Sequence, residues 1–205
     1  KITLFMSWIV LSKIFARGTM TKIFGDFITD IPEQTGYLQI GFSPGSLPLK
    51  HRWQTNGLSA DFISEYLEVF FVGQQSAQSK GESVAISSAT YEAVKYISNE
   101  LLENAMKFSA PTAPFPTRIS FFLLDNQVVF QVVNTTTQEF ADNLEVLIHI
   151  LLNHDPNELY VAKMEANAEE TGEHSGLGFL SMICDYSAKL SWKFEPLSPE
   201  SSLIV

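Results

Sequence analysis

Three polar side chains, Glu100, Asn104 and Lys107, recur within VKYISNELLENAMKF, residues 94–108. A carboxylate, a carboxamide and an ammonium converging on one point are what a magnesium–phosphate site requires. The amide oxygen can ligate Mg²⁺, the carboxylate can orient a nucleophile, and the lysine can offset phosphate charge. Their spacings of 4 and 3 predict one stripe along a helix. Val94, Ile97, Leu101, Ala105 and Phe108 form its apolar face, and the polar stripe lies roughly 90° away. That is the edge of a buried face, where a pocket wall would stand. The same spacing also describes a solvated flank held by i,i+3 and i,i+4 polar pairs.

A second group is Ser175-Gly176-Leu177-Gly178-Phe179, which precedes a helical pattern and follows Gly172 and His174. Glycines let backbone approach a ligand closely, and backbone N–H groups opening a helix can receive an anion. No Lys-Ser/Thr pair follows at P-loop spacing, and there is neither the third glycine nor the preceding strand of a dinucleotide fingerprint.

Together the two groups resemble the GHKL (Bergerat-fold) ATP-binding superfamily, over roughly residues 85–195. Asn99–Phe108 (NELLENAMKF) looks like its N box, and Ser175–Phe179 like its second glycine box. Within it the sequence is most similar to the bacterial anti-sigma-factor serine kinases. It is also similar to small cyanobacterial regulators with a histidine-kinase-like ATPase domain. Glu100 stands where histidine kinases usually carry Asn, and no helical His-Glu or His-Asp pair is present, which argues against a complete histidine kinase.

The resemblance implies ATP and Mg²⁺ as cofactors and a serine or threonine of a protein partner, of the anti-anti-sigma kind or another regulator, as phosphate acceptor. It implies Glu100 as general base, Asn104 as Mg²⁺ ligand and Lys107 at a phosphate. Ser175, Gly176, Leu177, Gly178 and Phe179 would form the nucleotide turn, and residues 138–174 the ATP lid. The family's Asp-x-Gly-x-Gly is absent. Asn134-Thr135-Thr136-Thr137 follows the second hairpin strand, so Asn134 would have to read adenine as a neutral, weaker acceptor. A non-catalytic regulator of the same fold, with a degenerate nucleotide site, is the alternative reading.

The elements expected to position these groups follow from pattern. Tyr37–Phe42 reads as a strand and Ser43–Leu49 as a turn-rich loop. A helix is expected over residues 60–72 with Ser59 as N-cap, and residues 73–83 read as a polar loop. Ala89–Phe108 is the strongest helical pattern. Arg118–Leu124 and Gln127–Val133, joined by Asp125-Asn126, predict a β-hairpin. Asp142–Leu152 is expected to be helical and apolar nearly all round its second half, which suggests burial or a partner groove. His154–Gly172 reads as acidic and mobile, Gly178–Tyr186 as a helix, and Leu190–Phe194 and Ser202–Val205 as strands. The fold class expected is α+β, a two-layer α/β sandwich with a mixed, mostly antiparallel sheet and helices on one face. The expected organisation is an extension over 1–19, a strand–helix portion over 20–84 and the ATP-binding core over 85–205.

Residues 1–19 are apolar with Lys1, Lys13 and Arg17 and no acid. The first reading is a stretch outside the ordered domain and not native to it. A packed amphipathic helix and a targeting segment are the others; the apolar run Ile2–Leu11 is well short of the ~20 residues a spanning helix needs. Over 205 residues, 13 Lys+Arg against 23 Asp+Glu give a net charge of −10. That disfavours nucleic acid as a partner and fits a cytoplasmic protein that binds proteins, with a homodimer as a further option. The lone Cys184 fits a reducing compartment and reads as packing. His154 and His174 lack ligand-spaced partners. Trp53, with Lys50 and Arg52, reads as a loop anchor, and Tyr66, Phe70 and Phe71 read as core.

Overall fold

The computed structural model describes residues 3–12, 21–32, 36–42, 57, 59–69, 88–110, 115–124, 127–169 and 176–196. Its strands are β1 (Thr3–Ser12), β2 (Lys22–Phe24), β3 (Tyr37–Phe42), β4 (Thr117–Leu124), β5 (Gln127–Thr136) and β6 (Lys189–Pro196). Its helices are α1 (residues 59–69), α2 (Ser88–Lys107), α3 (Gln138–Asn153), α4 (Pro156–Glu169) and α5 (Gly178–Cys184). The chain divides into two compact units. One is Leu47–Lys107, and the other combines Lys1–Ser46 with Phe108–Val205.

The larger unit holds one six-stranded sheet in the order β2-β6-β1-β5-β4-β3. The β4–β5 hairpin pairs Phe121 with Phe130, and β3 joins it antiparallel with Ile40 opposite Ile119. Val128, Val129, Phe130, Val132 and Val133 are all buried, so β5 is covered on both faces, as suits a strand inside a sheet. Three of the five pairings are antiparallel, and β1 pairs parallel with both β5 and β6. The sheet is therefore mixed and mostly antiparallel, as expected.

The place of β1 corrects the reading of the first residues. Thr3–Ser12 is neither outside the ordered part nor a helix. It lies between β5 and β6, with Trp8 opposite Val132 on one side and Trp192 on the other. A nearly continuous apolar run, interrupted by Ser7, suits an internal parallel strand.

Helices α3 and α5 pack on one face of this sheet. The Phe179 ring meets Trp192 edge-on at 5.9 Å. Phe24 makes edge contacts with Phe194 at 5.7 Å and with His149 of α3 at 5.3 Å. Toward the other face, Phe27 and Phe115 pack against Val133, and the Lys193 ammonium, paired with Glu195, lies 6.0 Å from the Phe27 ring centre. Gly25, at φ +71°, lets the chain leave β2 past Leu190, whose carbonyl oxygen would lie 2.6 Å from any Cβ there.

Within residues 138–174, expected as a lid with a mobile acidic tail, Gln138–Glu169 forms two helices, and the first contains the helix expected over Asp142–Leu152. Ala141, Leu144, Ile148 and Leu151 recur at helical spacing and are buried, so α3 belongs to the core. Helix α4 replaces the irregular segment expected after His154. Asp155 caps it by accepting from the N–H groups of Asn157 at 2.8 Å and Glu158 at 3.2 Å, and Pro156 opens it. Tyr160 then ties α4 to α5, its hydroxyl 3.2 Å from Ser181 Oγ and donating to Asp185 at 3.0 Å.

In the smaller unit α1 buries Ala60, Ile63 and Leu67. Ser59 is not the expected cap, because Gly57 is already helical. Tyr66, expected in the core, is exposed and faces the Phe62 ring. The Lys95 ammonium lies 2.7 Å from Asp61 and joins α2 to α1. The expected features at 43–49, 50–53, 70–83, 125–126 and 202–205 lie outside the described residues, as do His174 and Ser175.

Candidate functional site

Helix α2 carries the first group, within the smaller unit. Val94, Ile97, Leu101 and Ala105 are buried as the spacing predicts, and Ala93, Ser98 and Leu102 widen that face. Glu100 and Asn104 are half-buried at its edge, and Lys107 is exposed. The polar stripe therefore straddles the boundary between core and solvent. Burial, followed by the neighbouring Glu103 carboxylate, pushes the Glu100 carboxyl above the usual glutamate range. A carboxylate raised toward neutrality is better suited to take a proton than a freely solvated one.

Asn134 and the glycine turn belong to the larger unit. Asn134 is 2% exposed, in register with Val10 of β1. It shares the face of β5 that carries Val132 and Phe130, because side chains alternate along a strand. No bend follows it. With no glycine in Asn134-Thr135-Thr136, β5 stays paired with β1 to Ser12↔Thr136, and Thr137 then caps α3 by accepting from Phe140 N–H at 3.3 Å. The Thr135 hydroxyl is buried without a hydrogen-bond partner. Beside this strand end, Ala110 N–H donates to the Thr135 carbonyl at 2.8 Å, and Ser109 and Thr117 share a hydroxyl hydrogen bond of 2.8 Å.

Gly176 has φ +88°, a conformation that favours glycine. Leu177 and Gly178 lead into α5, which places Phe179 against Trp192. Lys163 of α4 reaches this turn: its Cε lies 3.2 Å from where a Gly176 Cβ would stand. Pattern reading missed Lys163 because α4 itself was missed, although the Asp155-Pro156 start was a legible signal.

A cavity of about 160 Å³ opens in the same unit, lined by Phe108, Phe140, Asn143, Leu144, Leu147 and Phe179. Phe108 and Phe140 stack, with ring centres 4.2 Å apart. Among the described residues Asn143 is the one polar side chain in the wall.

Cys184 is half-buried, and burial, then Asp185 and Asp155, push its thiol up, as fits packing over reactivity. The His154 ring lies 3.0 Å from the Ile150 carbonyl at the end of α3. Among the described residues no cluster of three metal-binding side chains occurs, and no helix is long and apolar enough to cross a membrane. No protein-family model matches the chain, and neither does any curated protein or solved structure.

Proposed function

We propose that this chain is a cytoplasmic ATP-binding regulator that transfers phosphate from Mg²⁺·ATP to a serine or threonine of a protein partner. The observation that carries the reading is Glu100, half-buried at the edge of α2 with its carboxyl raised by burial, one turn before Asn104. In this reading Asn104 ligates Mg²⁺ and Lys107 meets a phosphate. Glu100 takes the proton from the acceptor hydroxyl as its oxygen attacks the γ-phosphorus; the bond to the β-phosphate oxygen breaks and ADP leaves. Ser175, Gly176, Leu177, Gly178 and Phe179 form the nucleotide turn, where Lys163 adds positive charge. Asn134 accepts from the adenine amine.

Titration calorimetry with ATP and Mg²⁺ tests the binding half of the proposal. Heat of binding is expected at high micromolar protein, and its absence from protein shown folded by circular dichroism would refute nucleotide binding. For catalysis, Glu100→Ala is expected to lower phosphate transfer by about 10²-fold or more. An unchanged rate removes Glu100 from the base role.

One observation favours a second reading, a regulator that holds its partner without phosphate transfer. β5 runs straight through Asn134 and Thr135 to Thr136, whereas the family that the sequence resembles bends its chain around the base. Absent ATP heat together with intact partner binding is the outcome this reading expects.

A further inference from the structure

Helix α3 is apolar on two faces. One is the buried row Ala141, Leu144, Ile148 and Leu151. The other is exposed: Val146 is 60% accessible, Leu147 37% and Ile150 38%. With Asn143 these residues run along one flank at spacings of 3, 1 and 3, so they form a strip about two turns long. The strip is continuous with the cavity, because Asn143 and Leu147 belong to both. A solvent-facing apolar strip that leads into an apolar hole is the shape of a helix-in-groove or side-chain-anchor site.

The charge around it decides what can sit there. Helix α3 carries three carboxylates, Glu139, Asp142 and Glu145. Helix α3 itself has no lysine or arginine. Glu145 is already paired with Lys22 at 2.8 Å, but Glu139 and Asp142 stand exposed on the first turns, Asp142 accepting from the Gln138 amide at 2.7 Å. Such a rim repels nucleic acid and anionic lipid. A second copy meeting this face across a two-fold axis would set the same carboxylates against each other. A basic amphipathic segment is complementary to both parts of the surface. The cavity is close to the ~150 Å³ that accepts a benzene ring in an apolar protein core, which suits one phenyl or leucyl anchor.

We infer that the exposed flank of α3, with the cavity beneath Asn143 and Leu147, is a docking groove for a basic amphipathic helix of a protein partner that inserts one large apolar side chain. The inference does not require ATP binding, although Phe179 belongs both to the cavity wall and to the proposed nucleotide turn.

The probe is a fluorescein-labelled 18-residue Leu/Lys amphipathic peptide with one central phenylalanine, compared with its Leu/Glu counterpart and with a version carrying alanine for phenylalanine. Anisotropy is expected to show saturable binding of the Lys peptide alone, weakened at least fivefold by loss of the phenylalanine. Leu147→Gln with Ile150→Gln is expected to weaken it at least tenfold, and Val161→Gln, on α4, to leave it unchanged. Both sets alter exposed positions, and circular dichroism checks that each variant folds. Equal binding of Lys and Glu peptides, or equal binding by the Leu147/Ile150 variant, overturns the groove. Light scattering provides the remaining test: a dimer that the same double substitution converts to monomer assigns the strip to a second copy and overturns the partner assignment.

Discussion

Glu100 and Thr135 are each held against their own chemistry, and each therefore makes a prediction. The folded state binds the Glu100 proton more tightly than the unfolded chain does, because burial raises its pKa. Its contribution to stability is complete below the ordinary glutamate value of about 4.3 and is lost as pH rises through the raised one. Glu100→Gln is neutral throughout. Its Tm is expected to exceed wild type by about 1–3 °C at pH 7 and to show no advantage at pH 4, as thermal scans across that range will read. Thr135→Val keeps the shape and removes a buried hydroxyl that has no partner. A gain of about 1 kcal/mol in urea unfolding is expected, since an unsatisfied buried donor costs about that much or more. At this scale the sequence was informative about position. The spacing put Glu100 and Asn104 at the rim of the buried face of α2, and there they stand. It was silent on Lys163, whose approach to Gly176 depends on how α4 packs and on no local pattern.

At the scale of elements, legibility followed periodicity. The β4–β5 hairpin, α2, α3 and β6 carry alternation or a 3.6-residue repeat, and all were expected within a few residues. Three elements lacked that signal, among them β2, which is three residues long and was not expected. β1 is a nearly continuous apolar run flanked by basic residues, which matches a targeting core as well as an internal strand, and only its partners distinguish the two. Helix α4 has no apolar face, so its stability rests on its cap and on Tyr160 more than on periodic burial. Caps matter similarly for α3. The Thr137 hydroxyl accepts from Phe140 N–H and so starts a helix directly from the end of β5. Thr137→Ala is expected to cost about 1 kcal/mol, seen as a lower urea midpoint with an unchanged slope.

For the molecule as a whole, the dominant quantity is charge. A net −10 places like charges within reach of one another at low ionic strength, and the α3–α4 stretch holds more than half of it. Raising NaCl from 0.01 to 0.15 M shortens the screening length from about 30 to about 8 Å. Tm is expected to rise by a few degrees over that range in differential scanning fluorimetry. A fall would mean that pairs such as Lys22–Glu145 and Lys95–Asp61 outweigh the repulsion. The proposed nucleotide chemistry draws on α2 and on the glycine turn, which belong to different compact units. Local spacing can suggest both groups, but the path that would bring distant stretches together is not written in either motif.

The seat of β1 between β5 and β6 has a consequence for how the protein is made. Thr3 pairs with Gln127 and Phe5 with Lys189, so this strand, made before either neighbour, cannot find both until β6 has followed. At about 5–20 residues per second that interval is on the order of ten seconds or more. Until β5 follows a greasy ribbon has two bare edges, and until β6 follows it has one; whatever shields it then, a chaperone or the nascent hairpin alone, governs how much of the product survives.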